Sequence, residues 1–412
     1  MQSSISIIKK RTALTGYLML ISLFGMMAVD IFLPALPIMA KALSVSDAAI
    51  QVIFPAYFVG VACAQLFCGP LSDHYGRKPI LLMAFALGVL GSLICGVAHT
   101  YHAVVFGRFV QGVGAGVAIV LWRAIAFDVL DKEAAYRMIA TITPVIVISP
   151  AIMPIIGGGI LTYVGWRDIF IAIGAVSAFA FLVTATALPE TCRPIPEHGV
   201  IRRILTSYKT FFGSPFFLFS AWALCTVYAA YFLYIVQSPL VFNRMGYTPT
   251  LISVLYVPVA ASFALGSMAG KKLRTRFSTE QILGLGLSMF VIGASGVVVF
   301  CLVPALHLTP IFLGAFCVLV MGNGMTLTVG VARLIAGFSG KGGASSATLG
   351  LMQSLATILM TSGMALGNAH LSLSDSLATL FGICIVSILL VFVPFVKTAC
   401  RVTAAFIGEV QE

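Results

Sequence analysis

Long apolar runs, broken by short polar joints, fill almost the whole of this 412-residue chain. The runs lack the polar–apolar alternation of a half-buried strand and are too long for barrel strands. They predict helices at 13–38, 48–70, 80–99, 103–124, 138–163, 168–188, 215–242, 249–270, 281–303, 309–333, 344–369 and 376–396. Each is long enough to cross a hydrocarbon core about 30 Å thick, which takes roughly 20 mostly apolar residues. A helix also satisfies its own backbone groups, the condition that lipid imposes. Pro55, Pro150, Pro154 and Pro258 fall inside the runs. In a membrane bundle, neighbouring helices make good the backbone groups that such residues free. The expected fold class is an all-α membrane protein with twelve transmembrane helices.

The longest polar stretch, 189–212, divides the runs six and six. The expected organisation is an N-terminal six-helix bundle over 1–190, a linker over 191–213 and a C-terminal six-helix bundle over 214–412. The other joints are short, and no additional soluble domain is expected. A repeat between the halves is faint. Gly69-Pro-Leu-Ser-Asp-His-Tyr-Gly-Arg-Lys follows span two, and Gly266-Ser-Met-Ala-Gly-Lys-Lys follows span eight, without the acid.

Composition agrees with lipid as the solvent. The chain is 60% hydrophobic and 9% charged, where soluble domains carry about a quarter charged residues. The net charge of +11 does not point to nucleic acid, because the basic residues form short clusters between apolar runs. With the N-terminus inside and the joints alternating, 20 of the 24 Lys and Arg lie on one side. Lys41, Arg108, Arg167 and Arg244 are the exceptions. This is the positive-inside pattern, and it puts both termini in the cytoplasm. Lys9-Lys10-Arg11 ahead of an apolar run resembles the start of a signal peptide, but the run continues past 20 residues, so it reads as an uncleaved first span. Nine cysteines are scattered without a C-x-x-C pair and read as apolar packing residues. The histidines, at 74, 99, 102, 198, 307 and 370, lie in joints or span ends. No metal, no cofactor and no enzymatic constellation is expected.

Charge within a span costs about 2.5 to 3.5 kcal/mol at a helix centre and is therefore a functional candidate. Of 13 acids, only Asp30 sits well inside a run. Desolvation disfavours a charged carboxylate, so such a group can take up a proton and return it. The competing reading is a structural acid paired with a base near the end of span one. Arg108, in Gly107-Arg-Phe-Val-Gln-Gly-Val-Gly-Ala-Gly, is the base in the outer part of a span. It is either a switchable partner of Asp30, a fixed structural pair or a headgroup anchor. Gly112, Gly114 and Gly116 superficially match a dinucleotide fingerprint, but no strand precedes them; close helix packing explains them better. Gly337-Phe-Ser-Gly-Lys341 has the wrong spacing for a phosphate loop. Tyr228, Tyr231, Tyr234 and Gln237 recur every three residues along span seven, on one drifting face. Met26, Met27, Asn323, Met352 and Gln353 lie in other spans. Such residues suit a cavity for apolar or cationic ligands, or serve ordinary helix packing.

Together these motifs resemble the major facilitator superfamily, and within it the twelve-span drug:proton antiporter branch. Gly69-Pro-Leu-Ser-Asp73-His-Tyr-Gly76-Arg77-Lys78-Pro is similar to the family's signature between spans two and three. Arg108-Phe-Val-Gln111-Gly112 is similar to its span-four signature, and Asp30-Ile-Phe-Leu-Pro-Ala-Leu-Pro to its acidic motif in span one. Gly165-Trp166-Arg167-Asp-Ile-Phe170 is similar to the start of its span six. Pro150, Pro154, Gly157 and Gly158 stand where the family carries its span-five antiporter motif, with Met153 in place of a glycine. The first half is nearest to Bcr/CflA-like exporters. Gln237-Ser-Pro239 and Val331-Ala-Arg333-Leu are nearest to MdfA-like ones. A second acid found in the latter is absent, Ser22 lying near its place.

The resemblance implies the major facilitator fold, two pseudo-symmetric six-helix bundles. It also implies proton-coupled export of drugs or small amphipathic molecules by alternating access in the bacterial inner membrane. Coupling falls to Asp30 and Arg108. Gating falls to Gly69, Asp73, Gly76, Arg77, Lys78, Asp128 and Arg137. Substrate binding falls to Met26, Asp30, Tyr57, Gln111, Tyr231, Tyr234, Gln237, Asn323, Arg333, Met352 and Gln353. The expected partners are a small-molecule substrate, protons and the bilayer, with the chain acting as a monomer. The alternative is proton-coupled uptake or export of one metabolite or siderophore.

Overall fold

The computed structural model describes residues 11–192, 211–303, 305, 308–338 and 342–390. Eleven helices among them are long and apolar enough to cross a bilayer. Span one is Arg11–Ala42, span two Asp47–Gly69, span three Arg77–Gly96, span four Tyr101–Val129 and span six Trp166–Ala187. Spans seven to twelve are Pro215–Arg244, Pro249–Leu273, Thr279–Leu302, Thr309–Ala336, Ser345–His370 and Leu373–Leu390. Span five is a pair, Glu133–Ile146 and Ile148–Tyr163, bent by 40°. Pro150 accounts for the bend: it has no N–H for the carbonyl of Ile146, four residues earlier. The twelve runs read from the sequence correspond to these spans one for one. Lys9, Lys10, Lys341 and the linker bases Arg202 and Arg203 lie outside the described residues.

Local sequence sets where the spans begin. Ser46, Thr100, Asp131, Ser214, Thr248 and Ser278 each accept a hydrogen bond from a backbone N–H in the first turn that follows. Ser278 forms a full capping box with Gln281.

Glycines let the spans close on one another. In the first half, a Cβ on Gly112 would lie 2.1 Å from the carbonyl oxygen of Tyr57, and one on Gly114 would lie 2.3 Å from that of Ala84. Span four is thereby wedged between spans two and three. In the second half, Gly324 meets the carbonyl of Phe263 and Gly322 that of Gly286, so span ten is wedged between spans eight and nine. The repeat that is faint in the sequence is plain in this packing.

The alternating joints give the molecule a basic face, carrying Arg77, Lys271, Lys272 and Arg333, and an opposite face, carrying Asp47 and Arg244. The halves meet through spans five and eight and spans two and eleven. At the opposite face they are clasped. Gln51 and Gln237 exchange amide hydrogen bonds of 2.6 and 3.3 Å, and Asn368 donates to Gln51 at 3.1 Å. Arg244 pairs with Asp47 at 3.0 Å. Phe232 packs against Phe54 and Phe58 across the same seam. Further toward the basic face, Ser354 donates to Gln65 at 2.9 Å. Among the described residues, no hydrogen bond or ion pair joins the halves nearer the basic face.

Candidate functional site

Span one breaks where its acid sits. Its first helix ends at Asp30, and a short 3-10 turn, Leu33–Ala35, leads into a second helix. Pro34 explains the break, because it offers no N–H to the Asp30 carbonyl four residues back. Broken helices buried between two halves are a recurrent way to hold ions and substrates in membrane carriers. The Asp30 side chain is buried, and among the described residues no hydrogen bond or ion pair reaches it. Tyr57, Tyr228, Tyr231 and Tyr256 lie within electrostatic reach of it. Two of these come from span seven and one from span eight, so the site belongs to both halves.

Arg108 lies near that break without pairing to Asp30. Its guanidinium stacks on Phe32 and Tyr57, each 4.3 Å away, and donates at 2.8 Å to the carbonyl of Ala28 and also to Gln111. Gln111 is held in turn by Ser92 at 2.7 Å. Nε and Nη2 of Arg108 are buried and have no partner. A buried donor without a partner costs about 1 to 3 kcal/mol or more, so this arginine retains bonding capacity for a second arrangement. The close approach of span four at Gly112 is what brings Arg108 under Tyr57.

The other expected site residues separate into groups. Met26, Tyr231 and Gln353 are half-buried between spans. Tyr57 is buried and donates to the carbonyl of Gly25 at 2.9 Å. Tyr234 is stacked on Phe316, with its hydroxyl buried and unpartnered. Asn323 donates to the carbonyl of Val227 at 2.8 Å and leaves its own carbonyl oxygen free. Gln237 lies in the clasp, and Gln111 lies inside the first half beneath Arg108. Arg333 is at the basic face, paired with Glu280 at 3.1 Å, and Met352 packs beside the cluster of Phe211, Phe217 and Leu334.

The expected gating residues gather on the basic face of the first half. Arg77 pairs with Asp73 at 2.6 Å and with Asp128 at 2.9 Å, and Lys78 donates to the carbonyl of Ala185 at 2.8 Å. Arg137 stands apart, exposed and 3.7 Å from Glu133 on its own helix. Glu190 is a member the sequence does not single out. Its carboxylate accepts from the N–H groups of Arg77 and Lys78, at 2.8 and 3.2 Å, where the helix N-terminus favours an anion. Gly76 makes room for it at a φ of +97°, and a Cβ there would lie 2.4 Å from Glu190. Gly69, by contrast, is helical with nothing within 4 Å of such a Cβ. Gly76→Ala should cost about 1 to 3 kcal/mol, whereas Gly69→Ala should cost nothing. Melting temperatures of the two variants in detergent check this, and equal values would contradict the cradle.

Span five carries the proline and glycine motif. Pro150 is half-buried and Pro154 buried. Gly157 abuts the Asp30 break, where a Cβ would lie 1.7 Å from the carbonyl oxygen of Ile31. Gly158 faces span eight, 2.4 Å from Ser253 by the same measure. One turn of helix therefore touches both the acid-bearing break and the other half.

By sequence Arg123 stands at the very end of the span-four run, 103–124, and is counted with the bases of the inner side. The structure continues that helix to Val129, so Arg123 lies more than a turn from its end, an exposed residue lying over Trp122 at 4.8 Å. The uncharged stretches on either side of it, from Arg108 and on to Asp128, are the available signal for an arginine inside a span.

The sequence profile of the Major Facilitator Superfamily matches residues 18–367. Multidrug resistance protein MdtL of Klebsiella pneumoniae (strain 342) is 28% identical over 344 residues, covering 79% of this chain and 81% of that one. Multidrug resistance protein D of Escherichia coli (strain K12) is 30% identical over 264 residues, covering 64% and 66%. Among solved structures, a D-xylose–proton symporter superposes with a TM-score of 0.75 at 15% identity, covering 92% of this chain and 96% of that one. That likeness speaks to the fold alone.

Proposed function

This chain belongs to the Major Facilitator Superfamily, and from that membership we propose that it is a proton-coupled antiporter exporting drugs or other small amphipathic molecules by alternating access. The observation that carries the reading is Asp30: a buried acid at a helix break, without a partner among the described residues and within electrostatic reach of tyrosines of the other half. The multidrug resistance proteins among its relatives support the same substrate range.

In this reading the bundles over 1–190 and 214–412 rock about the spans that join them. The arrangement described here is closed at the Gln51–Gln237 clasp. The basic face is the cytoplasmic one, which the bias of 20 bases in 24 supports, and both termini lie there. The membrane is the bacterial inner membrane. One chain supplies both halves of the site, so a monomer suffices. With the cavity open outward, Asp30 takes a proton and the protein reorients. A cytoplasmic substrate then displaces the proton, and the loaded form turns outward. Arg77, held by Asp73 and Asp128, seals the basic face in that outward form. Each proton contributes about 2.3 kcal/mol per 100 mV of membrane potential.

Everted membrane vesicles containing the protein should accumulate a lipophilic dye or chloramphenicol when a proton gradient is imposed. They should lose it when an uncoupler collapses the gradient. Accumulation insensitive to the uncoupler would refute proton coupling. Movement of one metabolite or siderophore, with no drug carried, would move the assignment to a dedicated carrier.

A further inference from the structure

The seam of the halves also carries a base further along span four, Arg123, with no hydrogen-bond or ion-pair partner among the described residues. Arg123 lies four residues beyond Ile119, nearly on the same side of span four. Ile119 marks where that side points, since its side chain fills the space beside Gly25 of span one. Arg123 is one turn closer to the basic face, on the side from which the halves are not clasped. Arg123 is solvent-accessible as a residue; its guanidinium lies over the Trp122 ring and makes no hydrogen bond or ion pair with any described residue.

The neighbouring charges are otherwise engaged. Asp128, one turn further along the same helix, is held by Arg77. Arg108 stacks on Phe32 and Tyr57 and donates to the Ala28 carbonyl and to Gln111. Among the described residues, Asp30 and Arg123 each lack a hydrogen-bond or ion-pair partner, and they are not within ion-pair distance of each other. Tyr228 lies within electrostatic reach of both, its ring on Phe232 at 4.9 Å.

We propose that Asp30 and Arg123 are the two poles of one substrate site, so that the carrier prefers amphoteric solutes: a basic nitrogen and an acidic oxygen at opposite ends of an aromatic body. Arg123 holds the anionic end, Asp30 exchanges its proton for the cationic end, and the rings of Tyr228, Tyr231 and Phe232 pack the body between. A guanidinium presents several donors in one plane and matches a carboxylate in bidentate fashion, which makes it the selective pole. This rests on the export reading above and narrows it.

Three probes on one scaffold test it: an arylpiperazine carboxylic acid, its methyl ester, and its N-acetyl derivative. Binding to the purified full-length protein in nanodiscs is measured without a gradient. Wild type should bind the amino acid form about tenfold or more tighter than the ester, the effect of one charge-assisted contact. Arg123→Gln should bring that ratio close to one, and Arg123→Lys should restore part of it. An unchanged ratio in Arg123→Gln would overturn the proposal. So would a wild type that prefers the ester or binds none of the three. Gradient-driven uptake of the same probes keeps the two readings separate. If the acid binds through Arg123 but no probe is accumulated, export fails and the site stands. If the ester is accumulated and the acid is not, export stands and the site fails.

Discussion

Asp30→Asn is expected to abolish gradient-driven accumulation while leaving the protein folded. A single proton exchanged per cycle sustains a concentration ratio of about 50-fold per 100 mV, from 2.3 kcal/mol per elementary charge. Asparagine has nearly the same shape and cannot carry that proton, so the variant should bring its substrate only to equilibrium. The structure makes the substitution gentle, because no hydrogen bond or ion pair to a described residue is lost with the carboxylate. A buried charge without a partner is itself destabilising, so the melting temperature of Asp30→Asn should equal or exceed that of wild type. Paired measurements in everted vesicles and in detergent check both halves of the statement. Undiminished accumulation would remove Asp30 from coupling. Lost transport accompanied by a lower melting temperature would make it a structural acid after all.

The second large effect is expected at Gly157. An added methyl would lie 1.7 Å from the carbonyl oxygen of Ile31, a backbone atom in the break of span one that cannot rotate aside. Spans one and five would have to separate, and the Asp30 turn would move with them. Overpacking of this kind costs typically about 1 to 3 kcal/mol, occasionally more. Gly157→Ala should therefore lower the melting temperature and impair transport together. Gly159, two residues on, has nothing within 4 Å of where a methyl would sit, so Gly159→Ala is the matched control. Glycine is a poorer helix former than alanine by roughly 1 kcal/mol, so the control should be neutral or slightly stabilised. If the two variants behave alike, span five does not press on the break as described.

The spans are legible in the sequence because lipid imposes a simple rule: an uncharged apolar run of sufficient length becomes a helix, whatever it packs against. Their ends are legible to within a few residues, and the structure extends several of them toward the basic face. Span four, for example, ends at 124 by its apolar run and continues in the structure to Val129. It continues because Asp128 finds Arg77 on span three, and a charge with such a partner need not end a helix. Two breaks are also latent in the chain. Pro34 and Pro150 each remove a hydrogen bond four residues back, at Asp30 and Ile146. The sequence shows the prolines but not that Asp30 stands at one of the breaks facing the other half.

Arg108 shows where sequence reading ends. Its presence in a span marks it as a candidate, and a pair with Asp30 is the natural expectation. The structure instead holds it against Phe32, Tyr57, Gln111 and the carbonyl of Ala28. Gln237 belongs by spacing to a polar series on span seven, yet it reaches across to Gln51, 186 positions away in the chain. Glu190 becomes a cap for the helix that starts at Arg77 because the end of span six passes over that helix's first N–H groups.

By itself, then, the sequence determined the solvent, the number and bounds of the spans, the side on which the bases lie, and which ionisable groups are costly enough to need a reason. Each of these follows from a single run of residues and the free energy of placing it in hydrocarbon. Which charges pair, which remain free, and which face of the molecule is clasped was decided only by the tertiary structure. Those outcomes depend on contacts a few ångströms long between spans far apart in the chain, and no local pattern encodes such distances.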